Sequence, residues 1–159
     1  MTYHSLTKEK DFVNYILFIL ILFSFFLGFY LDEDSAGGGK IDLIQHEWGN
    51  IKLFKSVALS EALTSLEYKS SRTPLFLIIH KYNFLANDIN GLRLSTFITG
   101  IITFILFYFC IKKYFKNIPN SLIILLSSFI LLSPYFRSSV FWSNQEHLAI
   151  LFFIISCLF

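Results

Sequence analysis

Residues 12–31 read FVNYILFILILFSFFLGFYL, and Asp32, Glu33 and Asp34 follow at once. Those twenty residues carry no charge. A hydrocarbon core of about 30 Å needs ~20 helical residues, so this stretch predicts a helix that crosses a bilayer. The three carboxylates stand where that helix emerges. Acid groups are expensive inside lipid, so the cluster is either a solvated boundary or the rim of a site.

The rest of the chain is of the same kind. It is 55% hydrophobic and 19% aromatic, with twenty Phe, and its mean hydropathy is +0.61. A water-soluble domain of 159 residues has too much surface for its volume to hide that apolar area. Lipid therefore covers it, and a multi-pass integral membrane protein is expected, in the inner or plasma membrane if the cell is bacterial. A net charge of +2 gives no electrostatic footprint for nucleic acid. Cys110 and Cys157 both lie in apolar runs, so no disulfide is expected. The first stretch is too long and aromatic for a signal-peptide core, and reads as a retained anchor.

Further uncharged stretches cover 94–111 and 117–136, and a fourth begins near Ser138. The polar region from Asp32 to Arg93 holds eight of the eleven acids. Lys112, Lys113 and Lys116 crowd a short loop, which the positive-inside rule makes cytoplasmic. Lys8 and Lys10, offset by Glu9 and Asp11, put the N-terminus on the same side. The chain then crosses an even number of times between Lys10 and Lys112, so residues 74–86 do not cross. Their apolar positions Leu75, Ile78, Ile79, Tyr82 and Leu85 share one helical face, as expected of a helix lying in the interface plane. Residues 50–67 suggest a second such helix.

The expected fold class is an all-α membrane protein with about four transmembrane helices, at 12–31, 92–111, 118–136 and 142–159. The outer loop 32–91 would carry the in-plane juxtamembrane helices. Pro134 is expected to end or kink the third crossing. The fourth is cut short at Phe159, so the chain reads as the front part of a longer protein.

This topology gathers Asp32, Glu33, Asp34, Lys81, Arg93, Arg137 and Glu146 at or near the outer interface. Carboxylates beside fixed cations at headgroup depth suit chemistry on a lipid-linked phosphate. A carboxylate can take a proton from an acceptor hydroxyl, and Arg offers planar, permanently charged donors to a phosphate that gains charge as it leaves. Each residue also has a plainer reading. The acids suit a solvated exit, and the arginines suit interface anchors that snorkel. Glu146 suits the headgroup zone. Gly37, Gly38, Gly39 and Lys40 fail the phosphate-loop spacing, because Asp34 stands where its first Gly belongs and Ile41 replaces Ser/Thr. His46 and His147 are too isolated to suggest metal ligands. The acids are compatible with a divalent cation, but their spacing does not select one. The Phe-rich stripes read as lipid-facing surface.

A first transmembrane helix followed at once by an acidic motif resembles the GT-C glycosyltransferases, polytopic enzymes that use polyprenyl-phosphate sugars. Ser71-Arg72-Thr73-Pro74-Leu75-Phe76 resembles the Pro-Leu-aromatic start of that family's last juxtamembrane helix. Gly91-Leu92-Arg93-Leu94-Ser95 resembles the opening of its second transmembrane helix. Leu132-Ser133-Pro134-Tyr135-Phe136-Arg137, with Glu146, resembles the pattern around its second outer loop. The resemblance runs from Phe12 onward in short, degenerate motifs. It implies that Asp32 or Asp34 is the catalytic base and that Glu33 completes the acidic motif. Arg93 and Arg137, with Lys81 and Glu146 nearby, would bind the substrate's phosphate or shape its pocket. It further implies an inverting transfer to a lipid, glycan or protein acceptor on the non-cytoplasmic face, with membrane lipids and the lipid-linked donor as partners and no certain cofactor. Thr73-Pro74 stands where the family often has two prolines. These 159 residues alone would lack the groove for the polyprenyl tail and be inactive. The alternatives are a non-catalytic membrane protein, such as a transporter subunit or assembly factor, and an O-antigen polymerase or ligase.

Overall fold

The computed structural model describes residues 3–68 and 73–159, with side chains from Lys10 onward. Readings that rest on the Lys8 and Glu9 side chains, or on Ser71 and Arg72, lie outside these residues. The described residues form helices and turns with no strand.

Helix α1, Tyr3–Tyr30, contains the predicted crossing. Helix α6, Ile89–Tyr114, contains the second. Both are long and apolar enough to span a bilayer. Asp88 starts α6 by accepting a 2.7 Å hydrogen bond from the Gly91 N–H, which satisfies one of the orphan donors of the first turn. Lys112 and Lys113 occupy its last turn, where the helix dipole is negative.

The third expected crossing is broken. Helix α7, Asn120–Ser128, tightens into a 3-10 turn over Phe129–Leu132. Helix α8, Pro134–Phe141, leaves it at 68°. Proline forces Ser133 into extended backbone, with ψ 121, and the ring then opens the new helix where its missing N–H does no harm. The fourth expected crossing is shorter than foreseen. Helix α9 starts at Glu146, not Trp142, and its 13 residues to Leu158 reach only about 20 Å. Ser143 at φ 58 turns the chain before it. Among the described residues two helices are long and apolar enough to cross a membrane, or three if the bent pair is one span, against the four expected.

The loop between α1 and α6 is helical in short pieces. Helix α2, Gly39–Asp42, runs through a π-turn, Leu43–Glu47, into α3, Trp48–Ser56. The single helix expected over 50–67 is corrected to α3 plus α4, Leu59–Thr64, because Val57 and Ala58 are extended. Helix α5, Pro74–Tyr82, stops before Ala86. There Asn83 accepts from the Leu85 N–H at 3.0 Å and donates to the Ser95 hydroxyl at 2.8 Å, and a side chain that bonds nearby backbone competes with the helix.

Helix α1 packs on α7, while α6 packs on α7, α8 and α9. At one end Ser121 donates to Asp11 and accepts from Asn14 at 3.2 Å. At the other, the Ser35 hydroxyl donates to the Pro134 carbonyl at 3.4 Å. So α1 and α7 run parallel and α6 returns between their ends. Phe12 and Phe23 stay exposed, as expected of the lipid-facing stripes, while Phe25, Phe136 and Phe141 are buried. Phe25 stacks on Phe97 at 5.3 Å and meets Phe141 at 5.0 Å. This aromatic core sits directly beneath the acidic turn.

Candidate functional site

Helix α1 ends in a way that separates neighbouring carboxylates. The Glu33 N–H donates to the Gly28 carbonyl at 2.9 Å and the Asp32 N–H to the Phe29 carbonyl at 3.3 Å. This is the paired closure of a Schellman motif, which needs a left-handed residue between helix and exit. Asp32 fills that place at φ 57, where Gly is usual. The reversal sends Asp32 toward α6 and Glu33 toward α8.

Glu33 meets Arg137. Nε of Arg137 donates to Oε1 at 2.7 Å, and Nη2 donates to Oε2. Nη2 also donates to the Ser24 carbonyl at 3.0 Å, and Nη1 to the Leu131 carbonyl at 3.2 Å and the Ser24 hydroxyl at 3.4 Å. A guanidinium has five N–H donors, and here every one is engaged. The Arg137 hydrogen bonds hold the Glu33 carboxyl below its ordinary value, against the opposing effect of burial. Gly28 makes room, since a Cβ there would overlap Arg137 and Glu33. Arg137 is therefore a buried pin inside the bundle, not an anchor beyond a third crossing.

Asp32 meets Arg93, with Nη2 and Oδ1 2.7 Å apart. Nε of Arg93 donates to the Phe141 carbonyl at 2.9 Å. Its guanidinium lies 4.0 Å from the Trp142 ring centre and 5.2 Å from that of Phe29. No described residue accepts from Nη1 of Arg93. The Asp32 side chain is 49% exposed. A cleft of about 250 Å³ opens here, lined by Phe29, Tyr30, Asp32, Asn90, Arg93 and Leu94.

Asp34 is occupied by structure. Its Oδ1 accepts from the Ser138 hydroxyl at 3.0 Å and the Gly39 N–H at 3.3 Å, and Oδ2 accepts from the Lys40 N–H at 3.2 Å. It closes the start of α2 and ties it to α8. Gly37 and Gly38 both take positive φ, at 76 and 85, so the triple glycine is a tight turn under this cap.

Two expected members stand elsewhere. The Lys81 ammonium donates to the Phe54 carbonyl and, at 2.7 Å, to that of Val57. It closes the C-terminal end of α3. Glu146 is exposed in the first turn of α9 and lines a separate groove with Thr73, Leu75, Phe76 and Phe152. Among the described residues no three His, Cys, Asp or Glu converge as metal ligands.

Trp142 and Ser138 were not singled out from the sequence. Trp142 is 2% exposed. Its indole N–H donates to the Glu33 carbonyl at 2.8 Å while its face carries Arg93. One residue thus braces both ion pairs. A Trp at the start of a supposed crossing reads as an interface aromatic, so no local signal marked this role. Compared with family models, curated proteins and solved structures, the chain matches none.

Proposed function

We propose that this chain is, or belongs to, an integral-membrane glycosyltransferase of the GT-C kind. It would move a sugar from a polyprenyl-phosphate donor to a lipid, glycan or protein acceptor on the non-cytoplasmic face. The observation that carries the reading is the Asp32–Arg93 pair. A half-exposed carboxylate sits in a strained backbone position, against a guanidinium whose Nη1 finds no acceptor among the described residues, at the mouth of a membrane helix. The order of short motifs along the chain supports the same reading.

The proposed step needs both partners. The donor phosphate takes the Arg93 donors and so releases Asp32 from its ion pair. Asp32 then accepts the proton of the acceptor hydroxyl. The acceptor oxygen bonds to the anomeric carbon as the bond from that carbon to the phosphate oxygen breaks, with inversion. Arg93 offsets the charge left on polyprenyl phosphate. Of the two candidate bases, Asp32 is favoured, because three donors already occupy Asp34. Glu33 and Arg137 hold the turn. A second reading, a non-catalytic membrane subunit, is favoured by the saturation of Arg137.

The test is turnover by the full-length protein in proteoliposomes supplied with polyprenyl-phosphate sugars. Asp32→Asn should lower turnover by at least ~100-fold, the range of a lost proton-transfer group, with expression and melting preserved. Undiminished turnover would remove Asp32 as the base. No transfer by the unaltered protein from any donor would leave the subunit reading.

A further inference from the structure

The Lys-loop end of the bundle holds a pair of thiols that the proposed transferase chemistry does not use. Cys110 lies four residues before Tyr114 in α6, so the two share a face. The Tyr114 hydroxyl donates to the Cys157 carbonyl at 3.1 Å, and the Lys113 ammonium donates to the Leu158 carbonyl at 2.5 Å. Two hydrogen bonds therefore hold the last turn of α9 against the last turns of α6. That clasp sets the turn of α9 that carries Cys157 beside the face of α6 that carries Cys110. Both cysteines are free and only partly buried.

We infer that Cys110 and Cys157 form an oxidation site, a dithiol that closes to a disulfide and pins α9 to α6. The oxidant class is a hydroperoxide. One thiol gives up its proton and its sulfur attacks the outer peroxide oxygen. The O–O bond breaks, the proton leaves with the alcohol, and a sulfenic acid remains. The second thiol attacks that sulfur and water departs. In sum, two thiols and one hydroperoxide give one disulfide, one alcohol and one water, a two-electron oxidation. The clasp holds both sulfurs on one molecule, so closure does not depend on protein concentration. Helix α6 carries Arg93 at its other end, so the crosslink fixes one end of the helix whose opposite end lines the Asp32 cleft. This site stands apart from the transferase reading and does not rest on it.

The experiment treats the full-length protein in liposomes with tert-butyl hydroperoxide. Remaining thiols are then labelled under denaturing conditions with a maleimide carrying a polyethylene glycol chain. Monomers lacking both labels, with a mass-spectrometric crosslink between the Cys110 and Cys157 peptides that reductant removes, are the expected result. Cys157→Ser should leave Cys110 open to label after the same treatment. Persistent double labelling, sulfinic acid without a crosslink, or disulfides only between two chains would each overturn the inference. A parallel run with copper phenanthroline separates slow chemistry from wrong geometry. If that reagent also fails to join the two cysteines in a folded sample, the thiols do not meet.

Discussion

At the residue scale, Asp32 meets two opposed demands. Its backbone position suits Gly, while its carboxylate holds Arg93. An L-residue in the left-handed region costs about 1 kcal/mol. Asp32→Gly should accordingly be more stable than Asp32→Ala by about 1 kcal/mol, although both lack the charge. A melting comparison in detergent checks this, and equal stability would mean that the turn carries no strain. Glu33 answers a different need. Removing it strands a guanidinium whose side chain is only 7% exposed, and breaking such a pair costs about 3 kcal/mol. Because the folded carboxyl is held below its usual 4.5, the stabilising effect is present above that pH and lost as pH falls beneath it. Glu33→Ala should thus fall below the parent in stability at neutral pH and approach it under acid.

His80 has the opposite chemistry. Burial, and then the fields of His147 and Lys55, push its imidazole down to about 3 from 6.5. The unfolded chain binds that proton first, so stability declines as pH falls from 6.5 toward 3. Unfolding midpoints across that range should flatten in His80→Gln. An unchanged slope would mean that other groups carry the acid sensitivity.

At the element scale, the site depends on how closely α8 enters beside α6. A Cβ built on Gly100 would stand 2.6 Å from Cγ1 of Val140. The Thr96 hydroxyl, one turn above, donates to the Val140 carbonyl at 2.9 Å. Gly100→Ala should push the two helices apart and cost about 1–3 kcal/mol, as overpacking does. Val140→Ala should recover part of that loss when combined with it. A double-mutant cycle on thermal unfolding measures the coupling, and simple additivity would refute the contact. The bend at Pro134 serves the same end, because it lays Arg137 and Trp142 under the acidic turn instead of carrying them past it.

At the scale of the whole molecule, the helix ends sort into two groups. Ser35 and Pro134 meet at one end, and Asp11 and Ser121 meet at the other, beside the Lys loop. If α1 and α6 both cross, Ser35→Cys and Lys116→Cys should be labelled by a membrane-impermeant maleimide from opposite faces of sealed vesicles. Labelling of both from one face would rule out that arrangement and, with it, the proposed transfer at an outer surface.

Much of this was legible in the chain. Twenty uncharged residues followed by three acids, the Lys cluster of the short loop and Pro134 announce helix α1, helix α6 and a bend. Such features are local, and hydropathy, charge and a missing N–H act at the place where they are written. The convergence of the acids with Arg93 and Arg137 was expected only as a shared interface. Which acid meets which arginine follows from the single left-handed residue at 32, and sequence spacing does not reveal a backbone reversal. Lys81 and Glu146 were grouped with the site because charge near an interface looks alike from the sequence. Packing sends one to the end of α3 and the other to a separate groove.

The sequence by itself determined that this protein is helical and apolar enough for lipid, since those properties sum over residues whatever their neighbours are. Tertiary structure alone decided that Arg137 is spent on the fold, that no described residue accepts from Nη1 of Arg93, and that the end of α9 carrying Cys157 is held to the end of α6. Those facts depend on the directions in which donors and side chains point once distant helices have met.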